Sequence, residues 1–247
     1  HTRWNCSSRG LGDVYKRQGE ASADLHNLRG LLLIEEDDQV YALRSFKRAV
    51  EIEPSHLDAN RNIAMIAIRF RDYVAAEQAL ESVIDSALVS TDVDAWIALG
   101  VAKRGLRKYE EAETAYRRAL AVDGGDPRPW YNLGILVQEH VTANLEQGED
   151  ERENEDALID SYELALEHYR TFVSRAGASK RWRAAVAEAK DRIVIVEDSI
   201  ETIETMAGLR LEYEKILEQE QRQRAAQIEE WKRLEAEGVS VDELQEP

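Results

Sequence analysis

LGVAKRGLRKYEEAETAYRRAL, residues 99–120, decides the fold. Tyr109, Ala112, Tyr116 and Ala119 recur at helical spacing, with Gly100 ahead of them. The preceding Trp96-Ile97-Ala98-Leu99-Gly100 returns 34 residues later as Trp130-Tyr131-Asn132-Leu133-Gly134. Upstream, Gly30, Ala42, Phe46, Ala49 and Pro54 recur at the same offset of 34 as Ala64, Ala76, Leu80, Val83 and Leu88. An offset of 36 then carries Ala64 to Gly100 and Ala76 to Ala112. A fixed period of this length marks stacked helical units, none of which can bury its apolar face alone.

The pattern has a steric reading. A small residue (Gly30, Ala64, Gly100, Gly134) sits where two helices of a hairpin approach closely. A second small residue (Ala42, Ala76, Ala112) lies opposite it, and large residues four and seven positions later fill the gap to the next hairpin. On these residues the chain resembles the tetratricopeptide-repeat (TPR) family over about residues 22–176. The resemblance implies an all-α fold, a TPR-type α-solenoid of helical hairpins wound as a right-handed superhelix. It also implies that the first helix of each hairpin lines a concave groove.

Four repeats are expected over residues 19–176, at about 23–56, 57–92, 93–126 and 127–176. Thr91 with Asp94 reads as a capping box, and Asp126-Pro127 as an N-cap followed by proline at the first helical position. Gly124-Gly125 reads as a helix end. In the fourth repeat the small residue expected near Glu146 is missing, and the motif resumes at Ala165, Tyr169 and Phe172. An acidic insertion at about 141–159 accounts for the delay, as a solvated loop, a helix extension or a contact arm. Trp182, Val186, Ala189, Ile193, Val196, Ile200 and Ile203 form one apolar stripe, read as a capping helix over 178–206. Residues 207–237 read as a long charged helix, either solvated alone or in a coiled coil with another chain, and 238–247 as a tail. Residues 1–18 lack a helical period and resemble translated adaptor sequence, so they are set aside as non-native.

The net charge of −17 opposes phosphate backbones and anionic lipid, which argues against nucleic acid as a partner. No run of eighteen apolar residues occurs, so no direct membrane span is expected. One cysteine, Cys6, precludes an intrachain disulfide. There is no phosphate loop or nucleophile elbow, and the histidines lack metal spacing, though His140 and His168 flank the insertion and could meet. The reading is a protein without catalytic residues, cofactor or metal.

Groove positions follow from the TPR register. Leu31, Met65, Val101 and Ile135 would form an apolar track. Arg61, Arg69, Arg104 and Arg128 place positive charge beside it, unless neighbouring carboxylates take them up. Asn62 and Asn132 could hold an extended backbone through their amides, and Asn27 and Tyr131 complete the face. The expected partner is a protein, engaged as a peptide or helix with acidic and apolar side chains. The carboxylate clamp of chaperone-tail TPR proteins is disfavoured, because only Asn62 matches its pattern.

NIAMIAIRFRDYVAAEQALESVI, LGVAKRGLRKYEEAETAY, YNLGILVQ and ALEHYRTFVSRAG are also similar to TPR lipoproteins of the myxobacterial adventurous gliding-motility envelope complex. That resemblance implies a bacterial cell-envelope scaffold joining other members of the assembly, periplasmic if the authentic N-terminus carries a lipoprotein signal. The acidic insertion and the helix after Met206 depart from it. The competing readings are a cytosolic TPR adaptor and an accessory subunit that positions an enzyme.

Overall fold

A computed structural model describes residues 22–84, 91–146 and 155–237, without the side chains of 142–146. The elements are α1 (Ala23–Glu35), α2 (Gln39–Ile52), α3 (Leu57–Arg69), α4 (Tyr73–Ile84), α5 (Val93–Gly105), α6 (Tyr109–Val122), α7 (Arg128–Glu146), α8 (Glu155–Ala176) and α9 (Arg183–Ala236). A 3-10 turn at Lys180–Trp182 precedes α9. Among the described residues there is no strand.

Helices pair as hairpins, α1 with α2, α3 with α4, α5 with α6 and α7 with α8. Each hairpin packs on the next, and α3 also meets α5, which meets α7. The first helices therefore form one layer and the second helices another. Several helix starts are capped in the same way, α6 with its Lys108 start being an exception. Asp38, Asp72 and Asp92 accept from the backbone N–H three residues on, at 3.2, 3.1 and 3.0 Å. His56 does so through Nδ1. The cap of α5 is thus Asp92 rather than Thr91, because Asp92 is the residue with its carboxylate aimed at Ala95 N–H.

The hairpins close on a size match. The ring of Phe46 occupies the place a Cβ on Gly30 would take, and Tyr116 does the same at Gly100. At Gly134 a Cβ would lie 2.6 Å from the Tyr169 ring. Ala64 is fully buried in the hairpin whose corresponding residue is the smaller Leu80. The large residue four positions past the second small residue therefore fills its own hairpin as well as facing the next. The turns inside three hairpins share a device absent from the sequence reading. Asp37, Arg71 and Arg107 adopt φ of 61°, 60° and 60°. The next N–H then reaches back to the last helical turn at 2.8, 2.8 and 2.9 Å, onto Leu33, Ala67 and Lys103.

α7 continues to Glu146 and α8 begins at Glu155, so both helices run into the acidic segment, whose residues 147–154 lie outside the described residues. α9 runs unbroken past residue 206, where the sequence marks a change from capping to charged character. Gly208 alone does not interrupt it, since one glycine costs a helix only about 1 kcal/mol. By compactness the chain divides at Ile193 and Val194. The first unit holds the four hairpins and the start of α9, the second the rest of that helix. No helix of the described residues is long and apolar enough to cross a membrane.

Candidate partner-binding face

The layer of first helices carries all twelve groove positions read from the sequence, and they do not behave alike. Along the apolar track, Leu31 is 42% exposed and Met65 57%. Val101 is half-buried against the Tyr116 cluster, and Ile135 is only 7% exposed. The track is open on repeats one and two and covered on repeats three and four.

The arginines also divide, though not by repeat. Arg61 lies between Asp92 at 2.6 Å and Asp58 at 2.8 Å. Arg104 pairs with Glu139. Arg128 bridges Asp94 at 2.6 Å and Asp126 at 2.5 Å. The Asp126 hydrogen bonds, against the cost of burial, hold the Arg128 guanidinium firmly charged. Burial would raise the Asp126 carboxyl, but the bonds from Arg128 outweigh it and hold it below the usual carboxylate range. Only Arg69, exposed at the end of α3, has no ionic partner among the described residues.

The amides are also engaged. Asn62 Nδ2 donates to Asn27 Oδ1 at 2.9 Å, joining repeat two to repeat one. Asn132 Nδ2 donates to the Arg128 carbonyl at 2.9 Å. Tyr131 packs on Phe172 and Tyr169, with ring centroids 5.0 and 6.0 Å away. Tyr169 Oη donates to Gln138 Oε1 at 2.8 Å, and Arg192 from the start of α9 donates to the same oxygen at 3.2 Å. Polar capacity at repeat four is therefore spent on closing the end of the array.

Sequence reading missed a buried ionic centre between repeats two and three. Glu77, Glu81 and Glu111 bring their carboxylates within 4.8 Å of one another, a spacing that could hold a metal ion. An ammonium fills it instead. Lys103, 8% exposed at its side chain, donates to Glu77 at 3.1 Å, Glu81 at 2.9 Å and Glu111 at 2.5 Å. Lys108 adds a bond to Glu77 at 2.8 Å. Burial alone would lower the Lys103 ammonium, but the three carboxylates raise it. Glu77 is pushed up by burial and pulled down further by the two lysines. The i, i+4 pair Glu77 and Glu81 was the available signal, hidden among many exposed acidic pairs. His140 and His168 pack on different rings, Tyr109 at 5.0 Å and Trp130 at 5.7 Å.

These hairpins define a class. Residues 93–136 match the tetratricopeptide-repeat family model. The fold is a TPR-type array of helical hairpins. The chain is similar in fold to MamA 41-end from Desulfovibrio magneticus RS-1, at 21% identity, covering 66% of this chain and 81% of that one with a TM-score of 0.50. It is also similar to the C-terminal part of a TPR repeat-containing protein from Cytophaga hutchinsonii, at 16% identity, covering 77% and 64% with a TM-score of 0.51. No curated protein sequence matches the chain.

Proposed function

We propose that the protein is a non-catalytic interaction scaffold whose first-helix face takes an extended peptide or a helix. The observation that carries this reading is the open patch on repeats one and two. There Leu31 and Met65 expose apolar surface beside Arg69, a cation without an ionic partner among the described residues. Apolar anchors beside a free guanidinium select a ligand with spaced apolar side chains and an Asp or Glu within reach. The net charge of −17 limits the places at which an acidic ligand can dock.

An arrayed library of acidic and apolar peptides tests it. Binding should be lost when Met65→Glu is combined with Arg69→Glu, and kept in Arg107→Glu on a hairpin turn. Equal binding by all three proteins would remove the groove reading. The resemblance to motility lipoproteins supports a finer placement, in a bacterial envelope assembly. Fractionation of source cells tests that placement separately, and recovery only with cytosolic proteins would favour an adaptor or an accessory enzyme subunit.

A further inference from the structure

The first hairpin exposes a face that the other hairpins bury. Leu25, Arg29 and Leu32 line it on α1. Their equivalents at the repeat offsets are Ala59, Ile63 and Ile66 on α3, and Ala95, Leu99 and Ala102 on α5. All six are at most 9% exposed and pack against the second helix of the hairpin before. Leu133 and Leu136 on α7 do the same against Tyr116. In the first hairpin Leu25 and Leu32 are 56% and 55% exposed. The exposed guanidinium of Arg29 stands where the others place Ile63, Leu99 and Leu133. This surface thus has the layout that receives an α-helix three times in the same array, with a cation added.

More cations adjoin it. Arg29 walls a groove of about 580 Å³ together with Tyr41, Arg44, Lys47 and Arg48 from α2. Glu51, the only carboxylate lining the groove among the described residues, is taken up by Arg48 at 2.7 Å. Arg44 lies over the Tyr41 ring, 5.2 Å from its centroid. Arg29, Arg44 and Lys47 have no ionic partner among the described residues. An end face serving solubility alone would replace its leucines as well as the residue between them.

We propose that this face of the first hairpin docks an acidic amphipathic helix of a different protein, in the place that second helices hold on α3, α5 and α7. Its apolar stripe covers Leu25, Leu32 and Tyr41, and carboxylates flanking the stripe meet Arg29, Arg44 and Lys47. A second copy lending a helix here would leave its own first hairpin open, so that contact would propagate rather than close.

Fluorescence anisotropy on the full chain tests the proposal with a stapled helical peptide of about four turns. The peptide carries leucine at i, i+3 and i+7, with glutamate beside each. A Met65→Glu, Arg69→Glu background removes the first-helix patch described above, so binding reports this site alone. The peptide should bind, and its glutamine copy should bind about tenfold more weakly. Adding Arg29→Glu with Arg44→Glu, both at exposed positions, should abolish binding and leave the thermal transition unchanged. Absence of binding in the background protein, or binding that survives Arg29→Glu with Arg44→Glu, would overturn the proposal. Equal binding of the glutamine copy or of polyglutamate would overturn it too, by removing the need for charge or for a helix. Self-association of the chain that Arg29→Glu with Arg44→Glu abolishes would make a second copy the occupant and overturn it as well.

Discussion

The ring of Tyr116 lies where a β-carbon on Gly100 would have to be. In an exposed helix interior, replacing glycine by alanine stabilises by about 1 kcal/mol. Here the sign should reverse, because the ring sits in a fully buried position and cannot retreat. Gly100→Ala should cost about 1–3 kcal/mol by overpacking. Adding Tyr116→Leu should recover part of the loss, since repeat two already joins Ala64 to Leu80. Urea denaturation of the two variants checks both statements, and a stabilised Gly100→Ala would refute the size match.

Charge reversal should separate the four groove arginines. Arg61, Arg104 and Arg128 each bind a carboxylate in a neighbouring repeat. Arg61→Glu or Arg128→Glu would turn attraction into repulsion, at about 1–2 kcal/mol for these partly buried pairs. Arg69→Glu should leave the melting temperature unchanged. A binding test that reverses all four together would therefore confuse lost recognition with a loosened array. Arg69 is the clean probe, and calorimetry on the single variants checks the division.

Lys103→Met should destabilise by about 3 kcal/mol, because it leaves three carboxylates with Lys108 as their remaining cation. Glu77 sets the pH dependence of this centre. Its folded pKa lies below the ordinary 4.5, so its contribution is complete above that pH and lost as pH falls through the lower folded value. Glu77→Gln in the wild-type background should flatten the acid limb of stability against pH. An unchanged acid limb would show that the pair contributes nothing.

His168 gives a second pH dependence with the same direction. Burial against Trp130 lowers its folded pKa below 6.5. The neutral ring is then favoured in the folded state, so its stabilisation is complete above about pH 6.5 and declines below it. His168→Phe should remove that decline between pH 6.5 and the acid limb of the carboxylates. Thermal melts of both proteins across this range provide the comparison, and parallel curves would refute it.

The hairpins were legible because Gly30 and Phe46, Ala64 and Leu80, and Gly100 and Tyr116 stand at one repeated offset, which the insertion lengthens between Gly134 and Tyr169. Position alone could name Arg61, Arg69, Arg104 and Arg128 as one set. It could not say which were neutralised, since Asp92, Asp94 and Glu139 are read from one repeat and reach into another. The same holds for Lys103, whose partners come from α4 and α6. Turn residues were hidden for another reason. Arg71 and Arg107 hold a left-handed backbone without being glycine, so no punctuation marks them. The continuity of α9 was missed because a shift in composition at residue 206 was read as a boundary, when only proline or a glycine pair would have broken the helix.

The polar bonds along the first helices have a consequence for how the array comes apart. Asn62 to Asn27, Arg61 to Asp92, Arg128 to Asp94 and Arg104 to Glu139 all cross from one repeat to the next. Aromatic rings against glycine hold three of the hairpins internally, and Leu80 opposite Ala64 holds the second. Within repeats the ionic link described between paired helices is Lys103 to Glu111, so cohesion between repeats has the larger ionic share. Ionic strength becomes a control on cooperativity. At low salt the hairpins open together, while concentrated salt loosens the seams and lets the ends fray one hairpin at a time.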